Sequence, residues 1–381
     1  MIKFNLDGIP QTFFEEGALE QIKEIDLVKK SKKIILVIGK ASFKACRHYD
    51  GVRYQLNDKE VIEVTIANEP SPHNIDEVVL LNHKNNIDLV IAIGGGSVLD
   101  AGKAISAMLP LGDSVENYLE GIGHKIHQGI KIPFIAVPTT SGTGSEATKN
   151  TVISSVGEKG FKKSLRHENF IPDIAILDPL LTLGCPKSVS AASGLDALSQ
   201  LIESYLSTKG NPLTDSLALS GIKEISEALV PVCTNRSQDI ELRSKVMYGA
   251  FLSGITLAHA GLGVVHGIAG PLGGIFPIPH GVACGRLLPE VMKITLEKVM
   301  RIDDQQTLIK FKSIAEALSV EEIKDISNCL ANWVEVLNIP RLRDYGINQE
   351  DFNKIISISS NKNNPIDLTK EDKLSILNNC L

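Results

Sequence analysis

The chain has 381 residues, of which 43% are hydrophobic and 22% charged, and its formal net charge is −6. It is long enough for two globular domains. The acidic net charge and the lack of Lys/Arg runs argue against a nucleic-acid partner. No apolar run approaches the roughly 18 residues of a membrane helix. The N-terminus lacks the apolar run of a signal peptide, and six scattered cysteines without a C-x-x-C pair exclude a zinc ribbon or a disulfide framework, so we expect reduced thiols in a cytoplasmic protein.

Short apolar runs alternate with helix-sized segments over the first 180 residues. The runs are rich in β-branched residues and most end at Gly or Pro, which is typical of buried strands: 32–39, 61–66, 87–94, 132–139 and 174–177. Amphipathic segments between them, at 73–86 and 97–109, predict helices. This alternation predicts a parallel sheet covered on both faces. The opening stretch, with Asp7-Gly8 at its middle, is interpreted as a small hairpin.

After about residue 180 the pattern becomes helical. Apolar residues recur at three-to-four spacing in four segments: 187–206, 213–230, 239–258 and 306–318. No linker or low-complexity tract separates the two halves. We therefore predict an α/β domain over residues 1–180 and an all-helical domain over residues 181–381, with a ligand cleft between them.

Two loops rich in glycine and hydroxyl residues follow predicted strands. In IAIGGGSVLDAGKAIS, Gly94–Gly96 begin a helix, where free N–H groups and the helix dipole favour a phosphate. Ser97 is expected to be the N-cap, and Asp100 suits the first turn, where it could be only structural. The spacing is not G-x-G-x-x-G, so this turn alone is as consistent with a plain tight turn. The second loop, VPTTSGTGSEAT at 137–148, makes a dinucleotide site at the strand ends the favoured interpretation.

A carboxylate and two imidazoles in the second half suggest a metal site. Asp196 and Gln200 lie four residues apart on a predicted helix, and His266 and His280 are flanked by Gly or Pro. Individually each has a simpler reading, since a lone His among apolar residues is usually a core residue and Asp196 could cap a helix. Together, carboxylate oxygen and imidazole nitrogen suit Fe²⁺, Zn²⁺, Mn²⁺ or Co²⁺.

In combination these motifs resemble the iron-containing (group III) alcohol dehydrogenases. The resemblance runs nearly end to end, through GGGS-x-x-D-x-x-K (94–103), PTTSGTGSE (138–146), DP-x-L-T (178–182), GLDALSQ-x-IE (194–203), G-x-x-H-G (263–267) and PHG (279–281). It implies a dehydroquinate-synthase-like fold, a homodimer, and hydride transfer between NAD(P)H and an alcohol/aldehyde pair. The implied cofactor-binding residues are Gly95, Gly96, Ser97, Thr139, Thr140 and Lys162, and the implied metal ligands are Asp196, Gln200, His266 and His280.

Three positions depart from the family pattern. The second ligand, a histidine in familiar members, is Gln200; a further histidine that many members carry is Gly270; and His259 stands where asparagine is common. Because an amide carbonyl is a weaker donor than imidazole, we expect Fe²⁺ or Zn²⁺ to be held loosely, with Gln200 either ligating through oxygen or leaving a two-His, one-carboxylate triad. Loss of the metal is the alternative.

His259 precedes His266 by seven residues, which is two turns on one face if the segment is a helix, so His259 is a candidate acid/base. After the strand at 32–39 the chain continues Gly39-Lys40 without the acidic residue that often selects NAD. We therefore favour NADP over NAD, with Lys40 meeting a 2′-phosphate. A surface lysine is the plain alternative.

Three rival functions remain open. A metal-independent maleylacetate-reductase-like enzyme is favoured by Gln200, and a glycerol-dehydrogenase-like enzyme would share the fold. A non-catalytic nucleotide-binding protein with a decayed site is the third, although Asp196, His266 and His280 argue against decay. The small-molecule substrate, an alcohol or aldehyde, is not identified by the sequence.

Overall fold

The computed structural model of the protein describes residues 4–6, 8–40, 43–157 and 160–381. Its eight strands are β1 (Gln11–Phe14), β2 (Lys33–Gly39), β3 (Glu60–Ile66), β4 (Leu89–Gly94), β5 (Phe134–Pro138), β6 (Asn150–Ser155), β7 (Phe161–Arg166) and β8 (Ile174–Leu177). Six of them form one parallel sheet in the order β1-β8-β5-β4-β2-β3. The other two, β6 and β7, pair as an antiparallel hairpin.

The five strands predicted from apolar runs are all present, as β2, β3, β4, β5 and β8. The hairpin interpreted at the opening stretch is wrong: β1 instead pairs in parallel with β8, and Asp7 lies outside the described residues. Local turn chemistry favoured the hairpin, but an edge position in the main sheet offers β1 a longer-range partner. The β6–β7 hairpin had no counterpart in the sequence analysis, because its strands mix polar and apolar residues.

The sheet is covered on both faces, as its β-branched strands predict. In β4, Val90 and Ala92 lie in one hydrophobic cluster, and Leu89, Ile91 and Ile93 lie in the other. This division follows from the alternation of side chains along a strand. Both clusters are buried, so the sheet is packed on its two faces. The glycine turn follows β4 and the loop at 138–146 follows β5, at the same end of the sheet.

The helices of the N-terminal half are α1 (Asp26–Lys30), α2 (His48–Gln55), α3 (Pro72–Asn82) and α4 (Gly96–Met108). The second half is helical as predicted, with α5 (Lys187–Leu206), α6 (Pro212–Cys233), α7 (Ile240–Ala260), α8 (Val264–Ile275), α9 (His280–Arg301), α10 (Gln305–Ala317), α11 (Ile326–Val336), α12 (Phe352–Ile358) and α13 (Lys370–Cys380). Their apolar faces share one large core. The domain boundary at 180/181 stays a prediction.

In the described part of the chain, no single helix has the length and apolar character to cross a membrane. By these two measures alone, α7 and α8 pass together as a pair bent by 100°. Both helices contribute buried residues to the helical core, among them Val246, Ile255, Val265 and Ile268.

A buried lysine anchors the loop at 138–146. Lys103 on α4 is 1% exposed, and its Nζ donates hydrogen bonds of 2.7–3.1 Å to the backbone and hydroxyl oxygens of Ser145 and Thr148 and to Asn150 O. Asp100, one turn earlier, accepts a 2.6 Å hydrogen bond from Ser145 Oγ. The Asp and Lys of the first motif therefore hold the second motif in place.

The same loop contacts both the glycine turn and the helical half. A Cβ added to Gly96 would lie 2.5 Å from Thr143 Cγ2, so the two loops touch only because residue 96 lacks a side chain. Gly144 has φ +62° and its Cα lies so close to α7 that a Cβ there would be 2.4 Å from Gly254 Cα. These close approaches fix the two halves against each other at the cleft.

Glu146, buried in this loop, makes the stability of the protein pH-dependent. Burial raises the pKa of its carboxyl from 4.5 to about 7. Between these two pH values, Glu146 is protonated in the folded chain and ionised in the unfolded chain. Its contribution to the free energy of unfolding is therefore largest below pH 4.5 and is lost as the pH rises through 7. The shift corresponds to about 3 kcal/mol.

We predict that Glu146→Gln will be more stable than the parent protein at pH 7.5, by up to about 3 kcal/mol, and nearly equal to it at pH 4.5. Urea unfolding at both pH values measures the difference. A gap between the two proteins that does not change with pH would contradict the raised pKa of Glu146.

Candidate metal centre and cofactor cleft

Four potential metal ligands converge from three helices. Asp196 lies in α5, His266 in the first turn of α8, and His280 and Cys284 one turn apart at the start of α9; their ligand atoms all lie within 4.8 Å of one another. His266 Nε2 is 3.3 Å from Asp196 Oδ1, and His280 Nε2 is 3.9 Å from the same oxygen. Cys284 Sγ is 3.6 Å from each imidazole Nε2. Asp196 is buried inside α5 and is not a helix cap.

Glu203 orients one of the two imidazoles. Its Oε2 is 2.7 Å from His266 Nδ1, and its Oε1 accepts a 2.6 Å hydrogen bond from Val265 N at the start of α8. A His whose Nδ1–H donates to a carboxylate presents Nε2 to the metal, which is the usual outer-shell arrangement. Glu203 was part of the quoted motif but had been given no role.

The four side chains of the cluster differ in their protonation. Burial lowers the pKa of His280 to about 4, so this imidazole is neutral near pH 7 and its lone pair is available. Burial acts to raise the pKa of Asp196, but the two imidazoles outweigh it and lower that pKa, so the carboxylate is ionised. His280 Nδ1 is buried without a hydrogen-bond partner among the described residues. Asp196 and His280 thus have the protonation states that a divalent cation requires. Burial acts to lower the pKa of His266, but Cys284, Asp196 and Glu203 raise it well above 6.5, and burial raises the pKa of the Cys284 thiol to about 11. Cation binding would therefore release protons from these two side chains.

Cys284 belongs to the cluster of potential ligand atoms, whereas the side-chain oxygen of Gln200 has another partner. Gln200 lies one turn after Asp196 and lines the cleft, but its Oε1 accepts a 2.7 Å hydrogen bond from Ser253 Oγ. Cys284 is one of the six cysteines that the sequence predicts only as reduced thiols. Its position four residues after His280 places both on one face of α9, a spacing visible in the sequence once a helix is assumed there.

The predicted cofactor residues mostly line one cleft. Gly95, Gly96, Ser97, Thr140 and Lys162 belong to its wall, and its volume is about 1550 Å³, larger than the roughly 300–1,000 Å³ of an ordinary ligand pocket. Thr139 is not on this wall, although its N–H donates to Gly94 O at 2.9 Å and so joins the two loops. The expected N-cap is wrong: α4 begins at Gly96, so the N-cap is Gly95 and Ser97 lies inside the helix.

Lys162 is engaged in an ion pair. Its Nζ lies 2.5 Å from Glu69 Oε1, and Glu69 Oε2 accepts a hydrogen bond from Ser154 Oγ. Both charges bear on the pKa of His280, so the pair lies near the candidate metal ligands, in the cleft that the glycine turn also lines. The cleft wall also contains Asp196, Gln200, His266 and His280, which places all the predicted ligands in the same cavity as the cofactor loops.

His259 and His266 do not share a helix face, contrary to the prediction from their seven-residue spacing. Helix α7 ends at Ala260, Gly261 has φ +74°, and α8 begins at Val264 after a 100° bend. His259 Nδ1 donates a 2.7 Å hydrogen bond to Ile255 O, and the residue is not part of the cleft wall. Seven-residue spacing has no meaning across such a break.

The chain matches both sequence models of one enzyme family. Residues 10–179 match the model described as iron-containing alcohol dehydrogenase, and residues 190–381 match the C-terminal model of the same family. The chain is 32% identical over 376 residues to alcohol dehydrogenase 4 of Saccharomyces cerevisiae, covering 97% of this chain and 96% of that protein. It is 30% identical to an NADPH-dependent butanol dehydrogenase of Clostridium saccharobutylicum, covering 99% and 97%.

A solved structure supports the same assignment. The sulfoacetaldehyde reductase of Bifidobacterium kashiwanohense, in complex with NAD⁺, is similar with a TM-score of 0.86 and 26% identity, over 100% of this chain and 99% of that chain. The fold, the cleft with its two glycine loops and the sequence matches agree. The chain therefore belongs to the iron-containing alcohol dehydrogenase family and is an NAD(P)-dependent oxidoreductase that interconverts alcohols and aldehydes.

Proposed function

We propose that this chain reduces an aldehyde with NADPH, and catalyses the reverse oxidation, at a divalent metal centre in the cleft. The observation that carries the proposal is the convergence of Asp196, His266 and His280 on the cavity that the glycine turn also lines. The nicotinamide supplies the redox chemistry. A bound divalent cation would polarise the aldehyde carbonyl and lower the pKa of an alcohol hydroxyl.

The residues of the chain perform binding and positioning. The N–H groups at the start of α4 face the cleft beside Gly95 and Gly96, where a phosphate is favoured. Asp196, His266 and His280 would hold the cation, and Glu203 keeps the His266 ring in one orientation.

The first test is a panel of aldehydes assayed for consumption of NADPH and NADH, with and without chelator and with added Fe²⁺ or Zn²⁺. We expect aldehyde-dependent oxidation that chelation abolishes. Because a Lewis acid contributes several kcal/mol in the transition state, Asp196→Ala should lower kcat/KM at least about a hundredfold, while Asp215→Ala, remote on α6, should not. Activity that survives chelation would favour the maleylacetate-reductase-like alternative, and none across the panel would favour a non-catalytic nucleotide-binding protein.

The preference for NADPH rests on Lys40. This residue is exposed directly after β2, where its backbone N–H donates to Ile66 O at the end of β3. An ammonium there would pair with a 2′-phosphate, whereas NADH offers it only a hydroxyl. We expect Lys40→Ala to raise KM for NADPH about tenfold and to leave KM for NADH unchanged; an equal effect on both cofactors would contradict this role.

The acid/base role of His259 also stays a prediction. Its neighbours Leu257 and Gly261 line the cleft even though the imidazole does not. If His259 transfers protons, His259→Ala should lower kcat about a hundredfold, within the range of general acid–base catalysis, and leave the Kd for NADPH unchanged. A parent enzyme whose kcat does not vary between pH 6 and 9 would remove His259 from the mechanism.

A homodimer in the cytoplasm completes the proposal. The edge strand β1 exposes Phe13 and Phe14, which are 36% and 40% exposed, and an unpaired apolar edge favours pairing with a second copy. The six cysteines are all free, as a reducing compartment would keep them. Light scattering during size-exclusion chromatography measures the mass in solution, and we expect twice the 41.2 kDa of one chain. A mass of one chain would contradict the homodimer.

A further inference from the structure

Three of the four distances known between the donor atoms match a tetrahedral metal site that includes sulfur. With bonds of about 2.0–2.1 Å to nitrogen or oxygen and about 2.3 Å to sulfur, tetrahedral angles place N/O pairs about 3.3–3.4 Å apart and S–N pairs about 3.6 Å apart. The structure has 3.3 Å between His266 Nε2 and Asp196 Oδ1, and 3.6 Å from Cys284 Sγ to each imidazole. The remaining measured pair, His280 to Asp196, is 3.9 Å.

We propose that Cys284 is the fourth metal ligand of this protein and that Gln200 is not one. The proposal rests on the metal-dependent function proposed above. Cys284 replaces, through sulfur, the donor that is lost where a histidine of the family pattern is Gln200. A fourth strong donor also removes the reason for expecting a loosely bound cation.

The surroundings of the two residues support this exchange. The carbonyl of Gln200 is engaged by the Ser253 hydroxyl, an acceptor role that a neutral amide fills without a cation. Cys284 is fully buried and does not belong to the cleft wall, whereas the side chain of His280 is 27% exposed. The sulfur thus approaches the centre from the protein interior and leaves the cleft side open to a fifth group, such as a substrate oxygen.

Cobalt substitution tests the proposal without relying on turnover. Metal-free protein is titrated with Co²⁺, and a thiolate ligand is recognised by a sulfur-to-cobalt charge-transfer band in the near ultraviolet. We expect the band at one equivalent of Co²⁺ in the parent protein and in Gln200→Ala. It should vanish in Cys284→Ser and Cys284→Ala, and persist in Cys233→Ala, which removes a buried cysteine in α6.

Zinc binding gives a second readout, by competition with a chromophoric chelator. Cys284→Ala should weaken Zn²⁺ binding by more than the roughly 100-fold that is the upper end for an outer-shell partner, whereas Gln200→Ala should change it less than about threefold. X-ray absorption of the zinc-loaded parent protein should contain one sulfur neighbour at about 2.3 Å. This measurement needs no variant, so it decides the question even if a variant unfolds.

The possible failures are distinguishable. A Zn²⁺ shell of nitrogen and oxygen alone, or an unchanged cobalt band in Cys284→Ala, overturns the role of Cys284 as a ligand. The proposed function would still stand in that case if aldehyde reduction depends on metal. Failure to take up one equivalent of either metal overturns the inference together with the metal-dependent part of the function. Loss of metal in Gln200→Ala but not in Cys284→Ala would instead identify Gln200 as the ligand.

Discussion

The Glu203 carboxylate makes the interaction on which the centre depends. It is 5% exposed, and its two oxygens serve different partners, since one accepts the Val265 N–H that begins α8 and the other holds His266 Nδ1. Asp196 and Glu203 are separated by two turns of α5, so a single helix contributes both a ligand and the group that orients a second ligand. A change in the packing of α8 against α5 would therefore disturb the helix start and the imidazole together.

The N-terminal motif shows that a recurrent pattern need not mark ligand contacts. Lys103 is fully surrounded by oxygen atoms of the next loop, and burial lowers its pKa to about 8 while Asp100 acts in the opposite direction. One ammonium group thus binds three backbone carbonyl oxygens, those of Ser145, Thr148 and Asn150. The loop shape at 138–146, and with it the position of Thr140 in the cleft, thus depends on a charge that never meets the cofactor.

The sequence predicted what depends on local patterns and on motif resemblance, and it failed where distant contacts decide. Strands such as β4 are nearly continuous runs of apolar residues, and such a run can be recognised as a buried strand from the sequence alone. The pairing of β1 with β8 joins residues more than 160 positions apart, so the nearby Asp7-Gly8 suggested a hairpin instead. The break at Gly261 was hidden because the segments on both sides are apolar and helical. Cys284 was missed for a related reason: a lone cysteine in an apolar helix resembles a core residue until folding brings it within 3.6 Å of two imidazoles.

The departures from the family pattern have a common geometric consequence. Gln200 lines the cleft and Cys284 is buried behind it, so the proposed fourth ligand would approach the cation from the interior side rather than from the cleft side. Gly270 also leaves room on the cleft side, because it lines the cleft and a Cβ there would meet no atom within 4 Å. Where many relatives carry an imidazole, this cavity has open space beside the centre. The proposed cation, anchored partly from the interior, would then face a cavity widened at residue 270, where the carbon chain of a substrate has room.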